Sequence, residues 1–267
     1  MTVNNTERTD EVSIYYNAAR RITHASSVLF WIIAVVSLAI PYVATLSDES
    51  YEEILIATFL CITLVYFSLQ QVCRFYLVPR AERVRRQQLL SDALGTRLTH
   101  ERTKNYYNND YPPSIRRLGA DVFENSLFSK EIASRMLVSK RWIIGAYLLL
   151  WLFAFSLRHH NLELLTWITQ LVFSGEIIAG WLTLECLRFR QEKVFDQLHQ
   201  HFLHDIDPDD PRAVANILDS FASYEGAKSS AGALLSTKIF DKVNESLTAE
   251  WIRIRTDLKM MRTPSGA

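Results

Sequence analysis

The sequence predicts an all-α, polytopic membrane protein with four transmembrane helices in two hairpins and a helical cytosolic domain. Four long apolar stretches indicate this class, at residues 26–46, 54–77, 142–157 and 164–187. A helix of about 20 residues crosses the hydrocarbon of a bilayer, which is about 30 Å thick. Buried helices of a soluble protein are the alternative, but four nearly uncharged stretches of this length are difficult to bury within 267 residues.

The distribution of Lys and Arg predicts the orientation of these helices. Residues 78–141 contain thirteen Lys and Arg against seven Asp and Glu, whereas the turn at 47–53 contains no Lys or Arg. The second turn, at 158–161, contains only Arg158. Because cytoplasmic loops are enriched in Lys and Arg, we expect residues 78–141 and both termini in the cytoplasm and both turns outside.

This topology divides the chain into five segments. They are a cytosolic N-terminal segment (1–24), a first transmembrane hairpin (25–77), a basic cytosolic helical segment (78–141), a second transmembrane hairpin (142–187) and a cytosolic helical tail (188–267). The chain starts with polar and acidic residues instead of a basic n-region, so we expect no signal peptide.

Turn residues and apolar spacing predict the helices of the first cytosolic segment. The second span is expected to continue past Pro79 to about Leu94 and to end near Gly95. The polar residues 102–113 form a loop by their turn chemistry. A helix over 114–138 then leads into the third span.

The tail is expected to contain three helices. The fourth span continues to about Leu203, and a second helix begins with Asp210 as N-cap and Pro211 at its first position and ends at Gly226. The last helix carries an apolar stripe, which is buried either against the other helices of the tail or against a second subunit. The stripe consists of Val243, Leu247, Trp251, Ile254 and Leu258.

Motifs for catalysis or cofactor binding are not found in the sequence, so we expect no enzyme and no cofactor. A Gly-rich phosphate loop, a Walker lysine, His-Glu-x-x-His and Cys-x-x-Cys are all absent. The cysteines Cys61, Cys73 and Cys186 lie in predicted spans, where thiols behave as small hydrophobic groups. The nearest pattern to a metal site is formed by His199, His201 and His204, but only the last two share a helix face, which favours a solvated helix end.

Glu176 is an acidic residue near the middle of the fourth predicted span. A charged group there costs at least about 2.5 kcal/mol, so its carboxyl is expected to face protein or water. It is either a hydrogen-bonded strut between helices or a carboxyl that lines a pore. The candidates for a pore or gate are Glu176, Gln170, Glu185, Gln70 and Gln71. For Glu185, near the cytosolic interface, an ion pair with Arg188 is the favoured alternative.

Small residues beside Glu176 allow a close approach of a neighbouring helix. Together with the apolar stripe of the tail, they predict a homo-oligomer. The candidate contact residues are Gly175, Ala179, Leu247, Trp251 and Ile254.

Residues 102–117 form the best candidate for a cytosolic ligand site, because they combine aromatic rings with basic side chains. Rings stack on nucleotide bases, and guanidinium groups match phosphate oxygens. The alternative is a loop held against anionic lipid headgroups. The candidate residues are Arg102, Lys104, Tyr106, Tyr107, Tyr111, Arg116 and Arg117.

The layout and four short segments resemble the SMODS-associated four-transmembrane effectors of bacterial nucleotide-signalling anti-phage defence. The segments are Tyr15-Tyr16-Asn17-Ala18-Ala19-Arg20-Arg21 before the first span, the small residues 227–233, Lys238-Ile239-Phe240, and the Leu247 to Trp251 helix. The chain departs from the family at Gly232-Ala233-Leu234-Leu235, where a proline is expected. The resemblance implies a bacterial inner-membrane protein that perforates or depolarises the membrane after a cyclic nucleotide signal.

Three classes of function therefore remain open. The first is a signal-gated, oligomeric pore-forming effector, whose partners are membrane lipid, its own copies and a cyclic nucleotide or a signalling protein. The second is a constitutive channel or small transporter, and the third is a non-conducting anchor that recruits a partner protein. We expect no binding of nucleic acid polymers.

The predicted topology is tested by cysteine accessibility in intact cells. A cysteine placed at Ser50 is expected to react with an impermeant maleimide, and a cysteine placed at Thr103 is expected to be protected, because the charge distribution puts Thr103 in the cytoplasm. Labelling at Thr103 but not at Ser50 would reverse the assignment.

Overall fold

The computed structural model describes residues 9–46, 49–101, 103–104, 107, 109, 111–156, 176–204, 207 and 210–260. Nearly all regular structure in these ranges is helical, which confirms the all-α class. The helices are α1 (Ser13–Leu46), α2 (Glu49–Val72), α3 (Val78–Leu94), α4 (Ile115–Ser156), α5 (Glu176–Leu203), α6 (Pro211–Ala231) and α7 (Thr237–Asp257).

One short sheet interrupts this pattern. Thr9–Asp10 (β1) pairs in antiparallel register with Thr103–Lys104 (β2), so that Thr9 lies opposite Lys104. The prediction of a plain loop over residues 102–113 was therefore wrong at these two positions. Turn residues such as Asn and Pro dominate the segment, and they gave no signal for the two residues that pair with a distant strand.

A π-helical turn, Cys73–Leu77, connects α2 to α3, so the helical path continues from Glu49 to Leu94. It lies directly before Pro79, which has no N–H to donate to the preceding turn. Wide turns of this type commonly accompany such a local loss of hydrogen bonding. The predicted helix past Pro79 to Leu94 is confirmed.

Gly95 ends α3 and reverses the chain. Its φ of +67° lies in the left-handed region, and a Cβ at this position would lie 2.9 Å from Cγ of Pro113. The backbone N–H of Ser114 then donates to the carbonyl of Ala93 at 2.9 Å, so the start of α4 is fixed beside the end of α3. A residue with a side chain at position 95 would be strained both by its φ and by this contact.

The chain forms two compact units. The first consists of Met1–Ser13, Ala81–Arg141 and Ala179–Ala267, and the second consists of Ile14–Arg80 and Trp142–Ile178. Two of the boundaries, at Arg80 and Arg141, fall at or near the ends of the basic segment predicted at 78–141.

The core of the first unit is built around Phe123 of α4, whose side chain is fully buried. Its ring centroid lies 4.9 Å from that of Phe195 and 5.8 Å from that of Phe202, both on α5. The ring of Trp251 on α7 approaches it edge-on at 5.2 Å. Each large aromatic side chain buries about 150–250 Å², so this cluster joins three helices.

The apolar stripe of the tail packs inside the same chain. Val243 and Leu247 are buried with Ile132, Trp251 is fully buried, and Ile254 packs against the core around Phe123. Of the two interpretations of the stripe, burial within the chain accounts for it, and these side chains need no second subunit to cover them.

The start of α6 agrees with the sequence, but its end does not. The Asp210 carboxylate accepts the backbone N–H of Arg212 at 2.8 Å, and Pro211 is the first helical residue. The predicted end at Gly226 was wrong, because the helix continues to Ala231 and ends at Gly232 with φ +55°. Burial of neighbouring residues of α6 outweighs the cost of about 1 kcal/mol for glycine inside a helix.

In the second unit, α1 packs antiparallel to α2 and the π-helical turn. The ring centroids of Phe30 and Tyr66 lie 6.3 Å apart. Further along, the Cys73 thiol is buried, with its sulfur 3.6 Å from the Thr23 hydroxyl and 3.8 Å from the Ala19 carbonyl oxygen. Cys73 therefore packs between the helices, in agreement with its prediction as a small apolar group.

Trp251→Ala is expected to destabilise the chain by about 3–5 kcal/mol, because it leaves a cavity beside Phe123. Ile252→Ala is the matched control, since the adjacent side chain is 46% exposed. Thermal unfolding in a mild detergent should show a Tm lower by on the order of 10 °C for the first variant and little change for the second. Equal shifts in both variants would contradict the core position of Trp251.

Candidate ligand site and membrane-facing surface

Within the described residues, two helical stretches are long and apolar enough to cross a membrane, Ser13–Ser37 and Glu53–Leu94. Residues 54–73 contain no Asp, Glu, Lys or Arg, and 20 helical residues extend about 30 Å. None of the most apolar window of the second stretch is buried, and 17% of the first is. The exposed apolar side chains include Trp31, Val35, Leu60, Leu64 and Phe67.

The C-terminal part of α4 exposes a similar surface. Trp142, Leu149 and Phe153 are 76%, 70% and 63% exposed. Residues 157–175, which contain the predicted second turn and much of the fourth span, lie outside the described residues. The four-span topology therefore stays a prediction.

The described pore candidates belong to different helices. The side-chain amide of Gln70 donates to the Tyr66 hydroxyl at 3.3 Å, one turn earlier on α2, and Gln71 is half-buried. Gln170 and Gly175 lie outside the described residues. Glu176 is the first residue of α5, but its side chain is not among those described.

Glu185 is held in an ion-pair cluster near the predicted cytosolic interface. Its carboxylate lies 2.7 Å from the Arg141 guanidinium and 3.7 Å from that of Arg188, and it accepts the Trp181 indole N–H at 3.0 Å. The expected pair with Arg188 is present, but Arg141 on α4 is the nearer cation. The contacts describe a strut between α4 and α5. Ala179, the described oligomer candidate of this helix, is exposed.

The loop before α4 is fixed to the first turns of that helix by side chains. The Ser114 hydroxyl accepts the backbone N–H of Arg117 at 3.2 Å, and the Arg117 guanidinium donates to the Tyr111 carbonyl at 3.3 Å. The Asn109 amide donates to the Asp121 carboxylate, while its oxygen accepts the Tyr111 N–H at 3.2 Å. These contacts place Tyr111 beside both arginines.

Arg116 lies between two aromatic rings. Its guanidinium carbon is 5.6 Å from the ring centroid of Tyr111 and 5.8 Å from that of Phe202 at the end of α5. The His201 ring meets Phe202 edge-on at 5.3 Å. We call Tyr111, Arg116, Arg117, His201 and Phe202 the Arg116 corner. A guanidinium that stacks on rings keeps its N–H groups at its edge, where they match phosphate oxygens.

Of the other predicted ligand residues, the structure describes the side chain of Tyr107, which lies outside this corner. The Tyr107 hydroxyl accepts the Asn125 side-chain amide at 3.4 Å, which directs Tyr107 to another part of α4. Arg102 and Tyr106 lie outside the described residues, and Lys104 is described only as a backbone position of β2. Among the candidates whose side chains are described, the structure brings together Tyr111, Arg116 and Arg117.

Three residues in or beside the Arg116 corner were not predicted from the sequence. His201 was interpreted as part of a solvated helix end, and no role was predicted for Phe202, which is buried. Asp121 was also missed; its side chain is fully buried, and burial raises its pKa well above the usual range, with Arg117 acting in the opposite direction. Its position among Leu118, Val122 and Phe123 was the available signal, because a carboxyl on an apolar helix face requires a partner.

A second charged cluster joins α3 to α6. The Lys228 ammonium lies 2.5 Å from the Glu82 carboxylate and 4.0 Å from that of Glu225, and Arg86 is 3.9 Å from Glu225. Burial raises the pKa of Glu225, and Lys228 opposes this shift. Because Glu82, Glu225 and Lys228 are largely withdrawn from water, loss of one of them would leave an uncompensated charge.

Comparison with known proteins gave no relatives: no protein family, no curated protein and no solved structure matches this chain. The function is therefore inferred from the structure of the chain itself.

The pKa of His201 depends on its surroundings in the Arg116 corner. Burial, and then the nearby Arg116 charge, lower its pKa. The pKa of His201 is about 6.5 in the unfolded chain and lower in the folded chain. As the pH falls below about 6.5, the unfolded chain therefore binds a proton first, and the stability that depends on neutral His201 is lost. Arg116→Gln is expected to raise the pKa of His201, measured by NMR of labelled histidine in the full chain. Arg135→Gln, at an exposed site on α4, should leave it unchanged. An unchanged pKa of His201 in Arg116→Gln would contradict the position of Arg116 beside His201.

Proposed function

We propose that this chain is a multi-pass effector of the bacterial inner membrane, with both termini cytoplasmic, that opens or disrupts the membrane after binding a cytosolic cyclic nucleotide. The exposed apolar surface of α1 and α2 is the observation that supports the membrane location. Its uncharged length matches the hydrocarbon of a bilayer, and water would be an unfavourable environment for so many apolar side chains.

The Arg116 corner supports the ligand part of the proposal. It offers two guanidinium groups for phosphate and the partly buried ring of Tyr111 for a base, while the buried ring of Phe202 holds Arg116 from behind. A cyclic nucleotide presents the complementary pair of groups, a phosphate and a flat base. The start of α4 adds backbone N–H groups at the same end of the helix.

A route from ligand to membrane is supported by the continuity of the helices. α3 follows α2 through the π-helical turn, and it is tied to α6 by the cluster of Glu82, Glu225 and Lys228. α4 begins at the Arg116 corner and continues to Ser156. A nucleotide shifts the equilibrium between closed and open states only if it binds the open state more tightly.

The decisive experiment measures membrane potential in cells that express the full chain, and ion flux through vesicles that contain the purified chain. Cyclic mononucleotides and cyclic dinucleotides are supplied one at a time. We expect one of them to cause depolarisation in the parent. Arg116→Ala with Arg117→Ala should abolish this response, because phosphate loses both guanidinium partners.

Arg135→Ala with Arg253→Ala is the control for the loss of two arginines, since both residues are exposed in the first unit.

Glu176→Gln tests the predicted pore carboxyl and should alter conductance without loss of insertion. Flux that is constant without nucleotide would instead identify a constitutive channel. A chain that inserts but conducts under none of these conditions would be a membrane anchor.

A further inference from the structure

A band of arginine and tyrosine side chains lies where the apolar surface of α1 and α2 ends. Arg20 belongs to α1, Arg74 to the π-helical turn and Arg80 to the start of α3. Since α1 is antiparallel to the following helices, these residues lie at the same end of the hairpin. Tyr15, Tyr16 and Tyr76 lie among them. We call these six residues the arginine–tyrosine band.

The contacts within the band orient its guanidinium groups. The Arg80 guanidinium lies 5.4 Å from the ring centroid of Tyr15 and donates to the Tyr76 hydroxyl at 3.4 Å. Arg20 lies 5.9 Å from the ring centroid of Tyr16 and donates to the Asn17 side chain at 3.3 Å. Nε of Arg20 is buried and has no hydrogen-bond partner among the described residues.

The charges of this hairpin are separated along its length. Between Ile14 and Arg80 the basic residues, apart from His24, are Arg20, Arg21, Arg74 and Arg80, all at one end. The acidic residues of the same stretch are Asp48, Glu49, Glu52 and Glu53, all at the turn. The arginine end therefore lacks a carboxylate from its own hairpin, and it attracts an anionic partner.

We propose that the arginine–tyrosine band binds the phosphate of an anionic glycerophospholipid in the cytoplasmic leaflet. The apolar side chains of Val72 and Phe75 adjoin the band and are 47% and 72% exposed, which suits acyl chains beneath a headgroup. Interfacial tyrosines and arginines occupy this depth in membrane proteins. The proposal rests on the membrane location under "Proposed function", and it does not depend on a nucleotide signal or on conduction.

The test uses the full chain, purified in a mild detergent and titrated with dioleoyl phosphatidylglycerol or dioleoyl phosphatidylcholine. Native mass spectrometry counts the lipids that stay bound. The parent is expected to retain the anionic lipid in clear preference over the zwitterionic one. Arg20→Gln with Arg80→Gln should reduce this preference about tenfold, because two charges that face the phosphate are lost.

Arg135→Gln with Arg253→Gln is the matched control and should keep the preference of the parent. Helix content by circular dichroism shows whether the band variant folds, and the single variant Arg80→Gln provides a milder change if it does not. Equal retention of both lipids by the parent would overturn the proposal, as would full preference in a folded band variant. Displacement of the lipid by inorganic phosphate alone would assign the site to a free anion and would also overturn it.

Membrane extraction separates this outcome from failure of the proposed function. If alkaline carbonate releases the parent from membranes, the membrane location itself is wrong. If the parent stays in the membrane but shows no preference for phosphatidylglycerol, only the lipid site is wrong.

Discussion

The aromatic contact around Phe123 is the interaction on which the first unit depends. Phe123 is fully buried, and its ring meets Phe195 and Phe202 from one helix and Trp251 from another. Phe202 also supplies one face of the site for Arg116. The same packing that closes the core therefore sets the position of the candidate ligand site, because the ring that Arg116 stacks on cannot move independently of the core.

The burial of α4 changes along its length. Its N-terminal part is buried on several sides, from Leu118 to Phe123, whereas its C-terminal part exposes large apolar side chains such as Leu149 and Phe153. Between them, Arg141 is paired with Glu185 of α5. This ion pair joins α4 to α5 at the point where the burial of α4 changes.

The sequence predicted the parts of the fold that follow from local chemistry. Pro79, Gly95, Asp210 and Pro211 each act within one turn of the chain, and α3, α4 and the start of α6 were found from them and from apolar spacing. Gly226 misled the prediction because its helix is held by tertiary burial, which no local signal contains.

Non-local contacts explain what was missed at the candidate site. Arg116 and Tyr111 are near in sequence and were found together, whereas Phe202 and His201 come from α5, about 85 residues later. The β1–β2 pairing was missed for the same reason, and the Asn109–Asp121 contact because the loop folds back onto the helix. The stripe at Leu247 and Trp251 was recognised as buried, but the spacing alone did not reveal that Ile132 and Phe123 cover it.

The first unit is assembled from three separate stretches of the chain, and this imposes an order on biosynthesis. When the ribosome has completed Arg141, Phe123 is already present, but Phe195, Phe202 and Trp251 have not been made. The apolar hairpin of α1 and α2 emerges before any of them. The apolar face of α4 around Phe123 therefore stays uncovered until α5 and α7 have been synthesised. A chain that ends before Trp251 would keep part of this face exposed, and it would be a substrate for quality-control proteolysis.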